Sequence, residues 1–404
     1  MSGFFDSVLF VWFFVFHIIR GGCSMKRSLL LMMAVIIIIT LGIAGCGEKK
    51  SNVIKIGVFE PITGANAAGG QLEVDGIKLA NRLYPEVLGK KVELVIADNK
   101  SDKVEAATAA ARLVEKDKVT AIIGSWGSSL SMAAGDIVKK GKIPTLGASC
   151  TNPLVTTGND FYFRVCFIDP FQGTVMANYA FNKLNAKKAG IVQEVSNDYA
   201  VGLANFFTAS FKKLTNDPNC VVAVANYNTG DQDFSAQLTN LKSKQPDVIF
   251  APGNFTESAL LISQARKLGI ICPIIGGDTW ETQEFLDIGK QAVEGAVFST
   301  FFSSETPITK ESEKFLDEYR KEYQKEPAAV TALGYDAYIL ILDAIKRAET
   351  IDTVKIRDEI AKTVDFEGAA GMITLDKNGD AVKNAVIKQV KDGKFTYIDT
   401  IRPE

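Results

Sequence analysis

Histidine is all but missing from this chain: of its 404 residues only His17 is one, and it falls ahead of the expected mature start. Its absence removes Ser-His-Asp and Cys-His nucleophile systems together with the histidine-bearing zinc sites. Cysteine is sparse too. Beyond Cys46, the mature part has Cys150, Cys166, Cys220 and Cys272, far apart and without a C-x-x-C pair, a poor pattern for zinc or thioredoxin-like chemistry. Four cysteines in an exported chain could pair in three ways; each sits beside a β-like run, where a buried free thiol is the ordinary state. A cationic excess is lacking as well. The 45 basic and 47 acidic residues become 42 and 46 once Arg20, Lys26, Arg27 and Asp6 leave with residues 1–45, a net charge of −4. No basic patch is interleaved with aromatics, so nothing points to nucleic acid. There is no G-x-G-x-x-G after a strand and no G-x-x-x-x-G-K-[ST]. After residue 45 no apolar run is long enough to span a bilayer. No cofactor, metal site or catalytic residue is expected.

What the sequence does have is an export signal. Lys26-Arg27 precedes an apolar run from Leu29 to Ile39 and on through Leu41, ending Ile43-Ala44-Gly45-Cys46. A positive start, a short apolar stretch and small residues before the cut are the parts of a secretory signal. The ending resembles a bacterial lipobox, which implies that residues 25–45 are removed and Cys46 is lipidated. The competing reading, an uncleaved anchor, needs a longer run than Leu29–Ile43 supplies. Val8–Ile19 is a second apolar run ahead of a complete signal. Residues 1–24 read as an untranslated leader, with translation starting at Met25, or as an extra membrane helix.

The remaining 359 residues suit two domains better than one. A polar tether, residues 46–52, leads into alternating signals. Strand-length apolar runs at Val53–Phe59, Val92–Ala97, Val119–Gly124 and Ile143–Ala148 are separated by helical patterns at Val104–Lys116 and Ser131–Lys140. The alternation restarts at Ala189–Val195, Val221–Tyr227, Val248–Pro252 and Pro273–Gly277, with helices near Phe171–Leu184, Gly202–Leu214, Phe234–Lys244 and Glu257–Leu268. Near-continuous apolar strands in this order predict an α/β protein of two doubly wound parallel-sheet lobes. A further strand at Ala296–Phe302, helices at Thr309–Gln324 and Ala328–Ala348, and a hairpin turned at Asp392-Gly393 complete the chain. Asp376–Asp380 looks like a calcium loop, but its glycine is misplaced and Ile387 stands where Glu belongs, so it reads as a turn.

Open α/β sheets bind ligands beyond the carboxyl ends of their strands. Three segments there carry suitable chemistry: Gly124–Ser129 before a helix, Ala148–Pro153, and Gly276–Trp280 in the other lobe. Each alone is an ordinary cap or turn. Jointly they offer hydroxyl and N–H donors from one lobe and the Asp278 carboxylate from the other. An α-amino acid has the complementary shape: its carboxylate would meet Ser128 and Thr151 at a helix start, its ammonium Asp278. Trp126 and Trp280, the only tryptophans after the signal, fall in these segments, where core packing is their ordinary role.

The chain also resembles the branched-chain amino-acid type of substrate-binding lipoprotein that feeds an ABC transporter. The likeness runs over nearly all of 53–400, through Ile56-Gly57-Val58, Pro61-Ile62-Thr63-Gly64, Gly124-Ser125…Ser128-Ser129, Ala148–Pro153, Phe163-Arg164, Asp198–Gly202, Gly277-Asp278, Gly334–Ala337 and Phe366–Gly368. It implies a type I periplasmic binding protein fold with three hinge crossings, residues 53–169 plus 303–372 forming one lobe and 170–302 plus 373–404 the other. By the same likeness Trp126, Gly127, Ser128 and Ser129 with Ser149 and Thr151 hold the ligand carboxylate, Tyr199 covers the ligand, Asp278 receives the ammonium, and Asn254 and Trp280 complete the site. Three positions depart from the leucine/isoleucine/valine pattern. Trp126 replaces a smaller apolar residue, Gly69 an aromatic, and Asn254 or Phe255 a tyrosine. The implied protein is an extracytoplasmic monomer, lipid-anchored to the cell membrane, that captures an aliphatic amino acid and passes it to an ABC permease and its ATPase. The alternatives are an amide-, urea- or aromatic-acid-binding protein of the same fold, a ligand-sensing receptor domain, or an amidohydrolase using Ser128 and Asp278. The last lacks any activator for its serine.

Overall fold

The computed structural model describes residues 52–403, and the leader, the signal, Cys46 and all of the tether but Asn52 lie outside them. The first sheet contains β1 (Val53–Glu60), β2 (Glu86–Val87), β3 (Lys90–Asp98), β4 (Ala121–Ile123), β5 (Thr145–Gly147) and β6 (Tyr162–Arg164), in the order β2-β3-β1-β4-β5-β6. All pairs are parallel except the β2–β3 hairpin. The central strand β1 is buried over its last five residues, as expected of a strand covered on both faces. Register is level at the carboxyl rim: Glu60 lies opposite Asp98, and Ile123 opposite both Val58 and Leu146. The loops after these strands therefore open on one edge.

The second sheet repeats the plan. Strands β7 (Ala189–Glu194), β8 (Val221–Tyr227), β9 (Val248–Phe250), β10 (Ile274–Gly276) and β11 (Val297–Thr300) are parallel. A small antiparallel sheet follows, built of β12 (Phe366–Gly368), β13 (Gly371–Leu375) and β14 (Ala381–Val382). The chain then re-enters the second sheet through β15 (Ala385–Lys391) and β16 (Lys394–Ile401), for the order β16-β15-β11-β10-β9-β7-β8. Positive φ at Asp392 and Gly393 makes the expected tight hairpin turn. Asp376–Asp380 is likewise a turn, its Asp376 carboxylate accepting the Asn378 and Asp380 N–H groups.

The helices that position the site are α1 (Ala67–Leu83), α2 (Lys103–Ala111), α3 (Ser128–Gly141), α4 (Asp169–Asn178), α5 (Asp198–Thr215), α6 (Ser235–Lys244), α7 (Phe255–Lys267), α8 (Gln283–Gly289), α9 (Lys310–Tyr323) and α10 (Ala329–Ala348). Helix α10, buried along almost its whole length, packs on α1. A Cβ on Gly76 would lie 1.9 Å from the Thr331 carbonyl oxygen, and one on Gly334 2.4 Å from that of Glu73. Bare backbone at both positions is what lets these helices touch.

The chain passes between the sheets three times, after β6, after β11 and before β15. The third crossing comes later than residue 373, because β13 pairs with β12, β14 pairs with β13, and the Gly379 carbonyl accepts the Arg164 N–H. Buried ion pairs brace these passages: Arg164 with Asp380 at 2.7 Å, Lys388 with Glu281 at 2.6 Å, and Lys383 with Asp336 at 3.6 Å. The four described cysteines are free thiols, buried except for the half-buried Cys272. Among the described residues no helix is long and apolar enough to cross a membrane.

Candidate functional site

Strand-end loops of both sheets enclose a cavity of about 290 Å³, at the small end of the range for small-molecule sites. The first sheet supplies Trp126–Leu130 after β4, Ser149 after β5, Asn66, and Ser101–Lys103; the second supplies Glu194, Ser196, Asn197, Tyr199, Thr229, Asn254, Asp278 and Thr279.

The first wall is a donor surface. Gly127, at φ +92°, turns the chain into α3 without a side-chain cap. The first N–H groups of that helix are thus left to an occupant of the cavity, as at other helix starts that hold anions. The Ser128 hydroxyl accepts the Asn152 N–H at 3.1 Å, which leaves its own hydrogen free to donate. Ser149 hydrogen-bonds the Glu73 carboxyl behind it. Buried Arg164 braces the Ser149 loop from below, donating to the Cys150 and Asn152 carbonyls at 2.5 and 3.0 Å.

The second wall is acidic. Asp278 Oδ1 accepts from Gln172 Nε2 at 2.7 Å and the Tyr199 hydroxyl at 2.9 Å, leaving Oδ2 uncommitted. Burial pushes this carboxyl up to about 6, and the Gln172 and Tyr199 bonds pull against that rise. A cation placed here would restore its charge.

Trp126 forms the apolar side. A Cβ on Gly69 would lie 2.4 Å from the Trp126 ring, so the glycine is what admits the indole. Gly69 and Trp126 are thus matched in size, the one leaving the space that the other fills. The opposite edge of the ring meets Phe255 at 6.1 Å between centroids.

The two walls touch. Ser129 Oγ donates to Asp198 Oδ2 at 2.8 Å and accepts the Asp198 N–H at 2.9 Å, Lys103 Nζ lies 2.9 Å from the same carboxylate, and Asn254 Nδ2 donates to Asn66 Oδ1 at 3.0 Å. Burial opposes the Asp198 charge, yet the Lys103 and Ser129 bonds hold its carboxyl below the usual range. The cleft is shut.

Of the ten residues singled out from sequence, the structure brings eight to the cavity. Thr151 is fully buried behind the wall, on the side of the buried Asp169 carboxyl. Trp280 is fully buried in the second lobe, stacked on Phe285 at 5.0 Å and seated against Gly276. Both turn inward because their loops must close over the sheet before reaching the cleft. Asn66, Lys103, Glu194, Ser196, Thr229 and Thr279 line the cavity without having been picked out; Glu194 ends β7 and the others follow strand ends, the one signal that could have found them.

A family model for periplasmic binding proteins matches residues 53–394. A leucine binding protein from Thermotoga maritima is 45% identical, with a TM-score of 0.84 over 87% of this chain and 99% of that one. A branched-chain amino acid transporter substrate-binding protein from Streptococcus pneumoniae, solved in complex with isoleucine, is 35% identical, with a TM-score of 0.81 over 87% and 100% of the two chains. An amino acid binding protein from Pseudomonas aeruginosa is 27% identical over 350 residues, 85% of this chain and 91% of that one.

Proposed function

The chain belongs to the periplasmic binding protein family, and we propose that it closes its two lobes on a free aliphatic amino acid and delivers it to an ABC permease and its ATPase. The observation that carries this reading is the opposition of an uncapped helix start and the Ser128 hydroxyl on one lobe to a buried carboxylate on the other. The ligand carboxylate sits at the start of α3 with the Ser128 and Ser149 hydroxyls. The ammonium meets Asp278, with Tyr199 beside it. The side chain lies against Trp126, which limits its length. Ligand contacts from both lobes favour the closed state, and no bond is made or broken. Leucine from the Thermotoga protein and isoleucine from the Streptococcus protein are the first ligands to try. The mature protein acts as a monomer outside the cytoplasm, held to the membrane by lipid on Cys46.

Intrinsic fluorescence of ligand-free protein starting at residue 46 and carrying Cys46→Ala, titrated with the twenty amino acids, tests this. A micromolar ligand corresponds to about −8 kcal/mol. Saturable change with leucine, isoleucine, valine or alanine is expected. Silence across all twenty from folded protein would discard the amino-acid reading and favour amides, ureas or aromatic acids. Labelled palmitate retained by the native chain and lost with Cys46→Ala tests the anchor.

A further inference from the structure

Two glutamates without solvent exposure stand behind the donor wall, Glu60 at the end of β1 and Glu73 on α1. Glu60 Oε2 accepts the Trp126 N–H at 2.6 Å, holding the loop after β4. Glu73 Oε1 is bonded to the Ser149 hydroxyl, holding the loop after β5. The two carboxyls face each other within hydrogen-bonding reach. Their other oxygens, Glu60 Oε1 and Glu73 Oε2, are buried and meet no donor from the described residues. Two such carboxylates cannot both stay charged; with a proton on each, Glu60 can donate to Glu73 and Glu73 to Ser149.

We infer that Glu60 and Glu73 each hold a proton in the ligand-ready protein, Glu60 donating to Glu73, and that Glu73 is a positioning residue that turns Ser149 into a donor for the ligand carboxylate. The Ser149–Glu73 bond can run either way. An ionised Glu73 takes the only hydrogen of Ser149, which then points a lone pair at the incoming anion. A neutral Glu73 donates its own hydrogen to Ser149 Oγ, and the serine hydrogen is free for the ligand. The inference rests on the amino-acid reading for that last partner, and on the burial of both carboxyls and their unpaired oxygens for the two protons.

The surroundings favour the neutral form. Burial pushes Glu73 up to about 8, with Asp278 across the cavity adding to the rise and the Ser149 and Glu60 bonds opposing it. Burial, then Glu73, raises Glu60 well above the usual range. Cys150 and Cys166, beyond β5 and β6, and Tyr162 on β6 are buried groups whose protons are likewise held tightly. On α10, Tyr335 gives its hydroxyl to Glu311, and Asp336 is occupied by Lys383 and two N–H groups. Arg164, the buried cation of this lobe, is committed to Asp380 and to loop carbonyls. No cation among the described residues bonds to the pair.

Glu73→Gln mimics the neutral acid, since its amide donates permanently to Ser149. Leucine affinity of wild type and E73Q, measured by fluorescence from pH 6 to 10, separates the alternatives. Wild-type affinity should fall by about tenfold per pH unit once the pair ionises, beyond the fall that the ligand's own ammonium imposes equally on both proteins. E73Q should keep its affinity into alkali, where wild type loses its own. The ligand-free wild-type-minus-E73Q infrared difference spectrum at pH 7 should contain a protonated-carboxyl C=O band. Folded E73Q that binds weakly at pH 7, or keeps the wild-type alkaline fall, overturns the positioning role. Absence of the difference band overturns the protonated Glu73. Should leucine, isoleucine and valine all fail to bind wild type at any pH, the amino-acid reading falls, and the infrared band alone then decides whether Glu73 holds its proton.

Discussion

At Asp278 burial and ligand chemistry pull against each other. Burial raises this carboxyl to about 6, while an ammonium favours the charged form. Affinity for an amino acid should therefore decline as pH falls through 6, because protonation removes the anion. Asp278→Asn should cost about 3 kcal/mol or more, since an unpaired buried charge is left on the ligand; a titration at pH 7.5 would then show affinity at least a hundredfold weaker. Trp126 and Trp280 divide the spectroscopic labour. Only Trp126 lines the cavity, so Trp126→Phe should abolish the ligand-induced fluorescence change and Trp280→Phe should preserve it. The reverse result would move the ligand to the other lobe.

Between elements, the telling contact is that of α1 with the loop after β4. Gly69 admits the Trp126 ring at a distance no side chain tolerates. Gly69→Ala must push the indole toward the cavity or strain α1, a disturbance of about 1–3 kcal/mol. Leucine and isoleucine should lose more affinity than alanine, which a comparison of the three titrations would reveal; equal losses would mean that Trp126 does not limit the ligand. The contacts between α2, α3 and α5 are of another kind. Lys103 and Asp198 are partly exposed, and such pairs contribute about 0–1 kcal/mol. Lys103→Met should change ligand affinity by less than about fivefold, because the ligand, and not this latch, holds the lobes shut.

Across the whole molecule the buried carboxyls set a pH trend. Burial raises Glu73 and Asp169 to about 8 and Asp278 and Asp336 to about 6. Each binds its proton more tightly folded than unfolded. The stability they contribute is therefore complete below the ordinary carboxyl range and lost as pH rises through 6 to 8. Asp98 and Asp198 are shifted downward, so they act only in stronger acid. Ligand-free protein should melt several degrees lower at pH 9 than at pH 5.5 in scanning calorimetry; a rise over that interval would contradict the burial argument. Ligand at a hundred times its dissociation constant should add about 2.7 kcal/mol.

What could be read from the sequence was local. Runs such as Val248–Phe250 and Ile274–Gly276 announce buried strands, and polar turns at their ends announce a rim. Those two patterns are enough for a two-lobed α/β fold and for Ser128, Ser149 and Asp278 as candidates. Helix α1 went unnamed because Gly69, Gly70 and Gly76 weaken a helical pattern, yet those glycines are there for close approach to Trp126, Pro61 and α10. Tertiary structure alone decided that Thr151 and Trp280 turn inward while Ser149 and Trp126 face the cavity. It also brought Asp198 to Ser129 and Glu60 to Glu73, residues 69 and 13 positions apart in the chain. Chemistry carried by one residue type in one turn is written in sequence order; chemistry that needs two charges to meet in a space without water exists only once the chain has folded.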